Sequence, residues 1–181
     1  MSRLSIPALD AVPEGSKTTL DAVHKQLGVV PNLFRLIGSS PAALTGFASF
    51  QGALSKTFDV KTRERIALAV AQVNGCDYCL SAHTYLSLNL AKLSAQEIAL
   101  NRKGASGDAK ANAIVAFASK VAKDRGHVSE ADIKAVRDAG ITDAQIVEIV
   151  GLIAENTFTN LLNEVAKTEI DFPMVRAAEA A

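Results

Sequence analysis

The chain has 181 residues, 49% hydrophobic and 21% charged, which suits one ordinary domain, or at most two small ones, with enough apolar side chain to close a core. Nineteen basic and nineteen acidic residues cancel to zero net charge, and neither sign gathers into a block, which argues against nucleic acid, an anionic membrane or any partner recruited by bulk charge. Aromatics make up 5%, tryptophan is absent and alanine occurs 31 times, a mixture that favours packed helices over a β-sandwich.

Residues 1–15 hold no apolar stretch of signal-peptide length, and nowhere do about eighteen apolar residues run together as a spanning helix needs, so a soluble cytoplasmic protein is expected. Ser16 can cap a first helix over 17–27, with Gly28 as its stop. The run from Val29 to Gly38 reads as a turn into a short apolar helix. Ser40 followed by Pro41 is a cap with proline at the first helical position, and opens a helix to about Lys56 with Leu44, Phe47 and Phe50 on one face. Asp59 can cap the next helix, which runs through Glu64 and Ile66 to Asn74 and stops at Gly75.

A helix then starts at the cysteines and runs through His83, Leu86 and Leu90 to about Leu93. Ser94 with Glu97 reads as a capping box for a short helix ending before Gly104, and the Gly/Ser/Asp stretch 104–108 reads as a mobile loop. Residues 109–125 carry Ile114, Phe117 and Val121 on one stripe, with Lys120, Lys123 and Arg125 as a solvated face. Ser129 to Ala139 gives a small helix closed by Gly140. Thr142 with Gln145 makes another capping box, opening a long apolar helix that Asp171-Phe172-Pro173 is expected to terminate. No segment shows period-two alternation, so the predicted fold is all-α, one domain over 1–181 with a cysteine-bearing core at about 41–103 and a second helical half at about 108–173.

The two halves share a weak repeat. Glu64 stands in front of Ile-Ala-Leu-Ala-Val-Ala, and Glu148 in front of Ile-Val-Gly-Leu-Ile-Ala; at the offsets of Cys76 and Cys79 the second half has Asn160 and Asn163. Duplication and chance similarity of two apolar helices both account for this. The period is too long for a solenoid.

Cys76 and Cys79 are the only cysteines. As a staple they are poor, since so small a loop stabilises by only about 2 kcal/mol. As chemistry they are better placed. Cys76, Cys79 and His83 are separated by three and four residues, which puts two thiols and an imidazole on one helical face. Behind the Gly75 stop, both thiols fall at the start of a new helix, where free N–H groups and the positive dipole end favour thiolate. A dithiol with a lowered pKa there suits thiol–disulfide exchange: one sulfur attacks and its neighbour resolves the mixed disulfide or sulfenic acid.

Glu64 sits beside a segment, Ile66–Val73, with one polar side chain, and a carboxylate there needs a donor or cation. The short connection at Asn74-Gly75 turns the helices back on each other and can bring Glu64 to His83, so that Glu64 orients His83 and His83 withdraws the Cys79 proton. The plainer alternatives are an ion pair of Glu64 with Lys61 or Arg65, and an ordinary core or surface role for His83. His24 and His127 have no comparable company, and Tyr78 reads as a packing aromatic. Zinc is the chemical rival, because two thiolates, an imidazole and a carboxylate make four ligands, but closed sites usually draw on two well-separated ligand pairs. A thioredoxin fold would need strands around the motif.

The pattern Glu64, eleven residues, Cys76-x-x-Cys79, three residues, His83 resembles the alkylhydroperoxidase D-like branch of the carboxymuconolactone decarboxylase superfamily. Gly28-Val29-Val30-Pro31-Asn32-Leu33-Phe34 and Ser40-Pro41-Ala42 resemble the lead-in of its peroxidase-related subgroup, and residues 141–162 resemble its closing helix. The resemblance implies an all-helical homo-oligomer, a trimer or hexamer, that reduces peroxides or disulfides. It implies that Cys79 attacks, assisted by His83 and Glu64, and that Cys76 resolves. Tyr78 departs from the family's best-known members, which carry a histidine there, and this bears on whether the full proton relay operates. No flavin or nicotinamide fingerprint is visible, so no cofactor is expected and electrons must come from another dithiol. The family suggests lipoamide-type or thioredoxin-type donors and a peroxiredoxin as acceptor. The alternatives are a lactone decarboxylase of the sister branch, which does not rely on a thiol pair, and a redox-sensing oligomeric module without turnover.

Overall fold

In the computed structural model, which describes residues 2–179, the described residues form nine α-helices, two short 3-10 turns and no strand, as the all-α expectation required. The helices are α1 (Glu14–Leu27), α2 (Asn32–Ile37), α3 (Pro41–Leu54), α4 (Val60–Asn74), α5 (Asp77–Asn89), α6 (Ala95–Arg102), α7 (Ala109–Lys123), α8 (Glu130–Asp138) and α9 (Asp143–Ala166). Among the described residues no helix is long and apolar enough to cross a membrane.

Most boundaries follow the cap chemistry. Ser40, Asp59, Ser94 and Thr142 each accept a hydrogen bond from the backbone N–H three residues on, which satisfies one of the otherwise orphaned donors of a helix start. Gly75 closes α4 in the left-handed conformation at φ 68°. The reciprocal half of the expected Ser94/Glu97 box is missing, because the Glu97 carboxylate is engaged elsewhere: it accepts from Arg65 Nε (3.0 Å), Gly107 N (3.0 Å), Asn101 Nδ2 (3.0 Å) and the Ser106 hydroxyl. Those bonds fasten the 104–108 segment that composition alone reads as a mobile loop.

Other expectations shift. Helix α1 starts at Glu14, and Ser16, expected as its cap, is buried in its first turn with its hydroxyl donating to Gly38 O at 2.7 Å. A tertiary acceptor takes the hydroxyl that a cap would have used. Phe50 leaves the face of Leu44 and Phe47 and is 44% exposed. Helix α9 ends at Ala166 rather than at Asp171, because Lys167 turns left-handed at φ 47°. Residues 168–176 continue as a non-helical strap that crosses back to α5, and residues 177–179 close it with the second 3-10 turn.

Helix α4 is the centre of the fold, packed against α5, α6, α7 and α9. Its residues Ile66 to Ala71 are all at most 2% exposed, which is why that stretch is apolar all round rather than striped. One cluster joins α4 to α7, α8 and α9 through Ile66, Val70, Ile114, Phe117, Val136, Ile149 and Ile153. A second cluster holds Leu68, Ala71, Leu80 and both cysteines.

Candidate active site

Gly75 ends α4 and Cys76 begins α5 as its N-cap residue, its sulfur accepting from Cys79 N at 3.2 Å. Cys79 thus occupies the third position of α5, with the dipole of that helix behind it. Both cysteines are free thiols, Cys76 fully buried and Cys79 2% exposed. The fold-back at Gly75 brings Glu64 of α4 to His83 of α5: Nδ1 of His83 lies 2.9 Å from Glu64 Oε2. Of the two alternatives for Glu64, Arg65 is taken by Glu97, and the carboxylate meets the imidazole.

The electrostatics divide the two sulfurs. Hydrogen bonding from the Cys76 thiol, opposed by burial and helped by the Asn163 amide, His83 and Asn160, brings the Cys79 thiol down to about 7. The Cys76 thiol is held well above the ordinary range, first because it donates to Cys79 and then because it is buried. Burial disfavours the His83 imidazolium, but the adjacent Glu64 carboxylate outweighs burial and raises its pKa. The result favours a Cys79 thiolate next to an imidazolium, with Cys76 kept as thiol.

Tyr78 points away from this relay. Its hydroxyl donates to Asp171 Oδ1 at 2.8 Å and accepts from Leu33 N at 3.1 Å, while its ring packs edge-on against Phe172. Burial pushes its phenol up. Tyr78 therefore anchors the strap: Val175 N donates to Ser81 Oγ and Ala177 N to Asp77 Oδ1, so residues 171–177 cover the start of α5. Three polar side chains escaped the sequence reading in any functional sense. Asn163 Nδ2 donates to Cys79 Sγ at 3.3 Å, Asn160 lies beside it, and the half-buried Glu155, whose pKa burial raises and which Gln51 contacts at 3.0 Å, adds negative charge near His83. The only earlier signal was the register that aligned Asn160 and Asn163 with the two thiols. Among the described residues no three His, Cys, Asp or Glu side chains are grouped to hold a metal ion.

A helical frame that presents a dithiol at a helix start, with an imidazole and carboxylate behind it, defines a class of thiol-bearing helical proteins, and the comparisons narrow it. The sequence model of the carboxymuconolactone decarboxylase family matches residues 41–124, the span from α3 to the end of α7. An alkylhydroperoxidase D core protein from Ralstonia eutropha JMP134, described as an uncharacterized peroxidase-related protein, is 29% identical over 94% of this chain and 92% of its own, with a TM-score of 0.81. A peroxidase-related protein from Silicibacter sp. TM1040 is 24% identical over 93% and 91%, with a TM-score of 0.80. The debrominase Bmp8, solved as a cysteine-to-alanine variant with 2,3,4-tribromopyrrole, shares the fold at 17% identity over 94% and 90%, with a TM-score of 0.76. No curated protein sequence matches the chain. The chain is thus similar to the carboxymuconolactone decarboxylase family over residues 41–124, and over nearly its whole length to an alkylhydroperoxidase D core protein.

Proposed function

We propose that this protein is an antioxidant thiol oxidoreductase that reduces peroxides or disulfides by cycling Cys76 and Cys79 between dithiol and disulfide. The observation that carries the reading is the 2.9 Å contact of Glu64 with His83 beside a dithiol whose two sulfurs titrate in opposite directions. The likeness to a peroxidase-related protein from Ralstonia eutropha supports it.

With a hydroperoxide, the Cys79 thiolate attacks one peroxide oxygen and the O–O bond breaks. The departing alkoxide takes a proton from the His83 imidazolium and leaves as alcohol, and Cys79 becomes a sulfenic acid. His83 then takes the Cys76 proton, the Cys76 sulfur attacks Cys79, the S–O bond breaks, and that proton leaves with the hydroxyl as water. An external dithiol of lipoamide or thioredoxin type reduces the resulting disulfide and restores both thiols. Cys79 attacks rather than Cys76 because its thiolate is the more stable one. Glu64 holds His83 in place and stabilises its charged form.

The whole chain acts as one helical domain and as a homo-oligomer in this reading. Support for self-association comes from the outer face of α9, where Val147, Val150, Phe158, Leu161 and Val165 recur at helical spacing and are all exposed. A redox switch without turnover is the second reading, favoured by the near-complete burial of both sulfurs.

The test is peroxide consumption with a panel of dithiol donors. Cys79→Ser is expected to lose turnover entirely, and Cys76→Ser, with no donor added, to consume about one equivalent of peroxide and stop at the sulfenic acid, since no second thiol of the chain resolves it. Full activity in Cys79→Ser overturns the thiol mechanism. Reversible oxidation of the parent without turnover on any donor favours the switch.

A further inference from the structure

We propose that Asn163 and Asn160, two amides on the inner face of α9, form a cradle that holds the Cys79 sulfur as the reacting anion. The inference rests on the reading of Cys79 as the attacking thiol, and adds to it a donor set from a helix 84 residues away in sequence.

The geometry is specific. Asn163 Nδ2 donates to Cys79 Sγ at 3.3 Å, inside a fully packed region where Asn163 is 2% exposed and Asn160 not at all. Residues 160 and 163 are one helical turn apart, so both amides face the same point. Asn74, the last residue of α4, donates its Nδ2 to Asn160 Oδ1 at 2.8 Å. That bond fixes the Asn160 amide with its oxygen toward α4, and leaves Asn160 Nδ2 buried without a hydrogen-bond partner. Asn163 Oδ1 is likewise buried without a partner.

Two buried polar atoms without a protein partner are costly, and a purely structural role for this pair would be served better by leucine. A neutral thiol is a weak acceptor and gains little from amide donors, whereas a thiolate gains much. Side chains that are expensive beside a thiol and useful beside a thiolate identify which form the site is built for. Asn163 touches the reacting atom and is a catalytic residue in this reading. Asn74 acts through Asn160 and is a positioning residue. The other ionisable groups around Cys79 are Cys76 and His83 on α5, Glu64 of α4 bonded to His83, and Glu155 and Glu164 of α9. Only Cys76 and His83 join the amides in favouring the anion directly.

The experiment is a pH titration of the reduced full chain, following thiolate absorbance in the ultraviolet, with Asn163→Leu, Asn160→Leu and the double variant. Far-ultraviolet circular dichroism verifies the helices, and Asn163→Ala replaces Asn163→Leu if the latter does not fold. Loss of the Asn163 donor is expected to raise the midpoint by about one pH unit from about 7, which is about fivefold less thiolate at pH 7. The double variant should shift further, and Asn163→Gln should recover part of the change. A helical variant set whose midpoint stays at the parent value overturns the proposal. Turnover is not needed for the titration, so this outcome is distinct from failure of the peroxidase reading, which Cys79→Ser decides.

Discussion

The broken pair α4–α5 and the unbroken helix α9 start from similar patterns, a glutamate ahead of six small or aliphatic residues, with Arg65 between them only in the first, and diverge beyond that run. Eleven residues past Glu64 stands Gly75, left-handed at φ 68°; eleven past Glu148 stands Thr159, whose hydroxyl bonds back to Asn156 O and whose helix continues. The break gives the first segment a second helix start, and so places Cys76 at the cap, accepting from Cys79 N, and Cys79 in the first turn. The continuous segment makes no new start and offers only side chains from its flank. There Asn160 and Asn163 meet the sulfur laterally. Two similar apolar helices thus supply different halves of one thiol environment, because a single residue does or does not reverse the chain.

The largest effect on the broken half is expected from Glu64→Gln, which keeps shape and removes charge. Without the carboxylate, burial of His83 is opposed only by the charges of Cys79 and Glu155, and its pKa falls below the raised value it has in the parent. The imidazolium is then lost at lower pH, so the alkaline limb of the turnover profile moves toward acid while the thiolate limb near 7 rises slightly. Maximal turnover should drop by about 10²-fold, the lower end for removal of acid–base assistance. Peroxide consumption measured across pH checks this, and a variant as fast as the parent at every pH removes the relay.

Next in size is the clamp that fixes α4 from its other side. Arg65 of α4 meets Glu97 of α6, and although burial opposes ionisation, the Ser106, Gly107 and Asn101 donors and Arg65 bring the Glu97 carboxyl down to about 2. The folded pKa lies below the ordinary value of 4.5, so this stabilisation is complete above about 4.5 and is lost as pH falls through about 2. It amounts to on the order of 2 to 3 kcal/mol at neutral pH. Glu97→Gln should lower the urea midpoint at neutral pH and flatten its acid dependence. A parent-like slope below pH 4.5 in the variant places the acid sensitivity elsewhere.

Local chemistry made much of the frame legible in the sequence. Ser40, Asp59, Thr142 and Gly75 act within three residues of themselves, so their caps and stops could be read directly, and the short Asn74-Gly75 connection was enough to anticipate Glu64 meeting His83. What the sequence did not reveal depends on tertiary competition. Ser16 looked like a cap until Gly38 O took its hydroxyl, and Glu97 looked like half of a capping box until the 104–108 segment took its oxygens. The sequence pattern carries α9 on to Asp171, past its end at Ala166, since a left-handed Lys167 has no side-chain signature comparable to glycine. Asn160 and Asn163 were visible only as positions where a repeat lacked thiols. Their function depends on a contact across 84 residues, and no local periodicity records such a contact.

The smallest effect tests the point of divergence itself. An added Cβ at Gly75 would meet nothing within 4 Å, so Gly75→Ala costs only the left-handed conformation, about 1 kcal/mol. Thermal or urea unfolding should register that loss as a modest shift of the midpoint. The thiols should respond more than the fold does, because relief of the strain rotates the start of α5, and both the Cys76 cap and the Asn163 contact depend on where that helix begins. A variant that loses about 1 kcal/mol and raises the Cys79 midpoint ties the thiol environment to the break. A variant that loses the same stability and leaves the thiol unchanged shows that the cradle from α9 holds Cys79 without help from the turn.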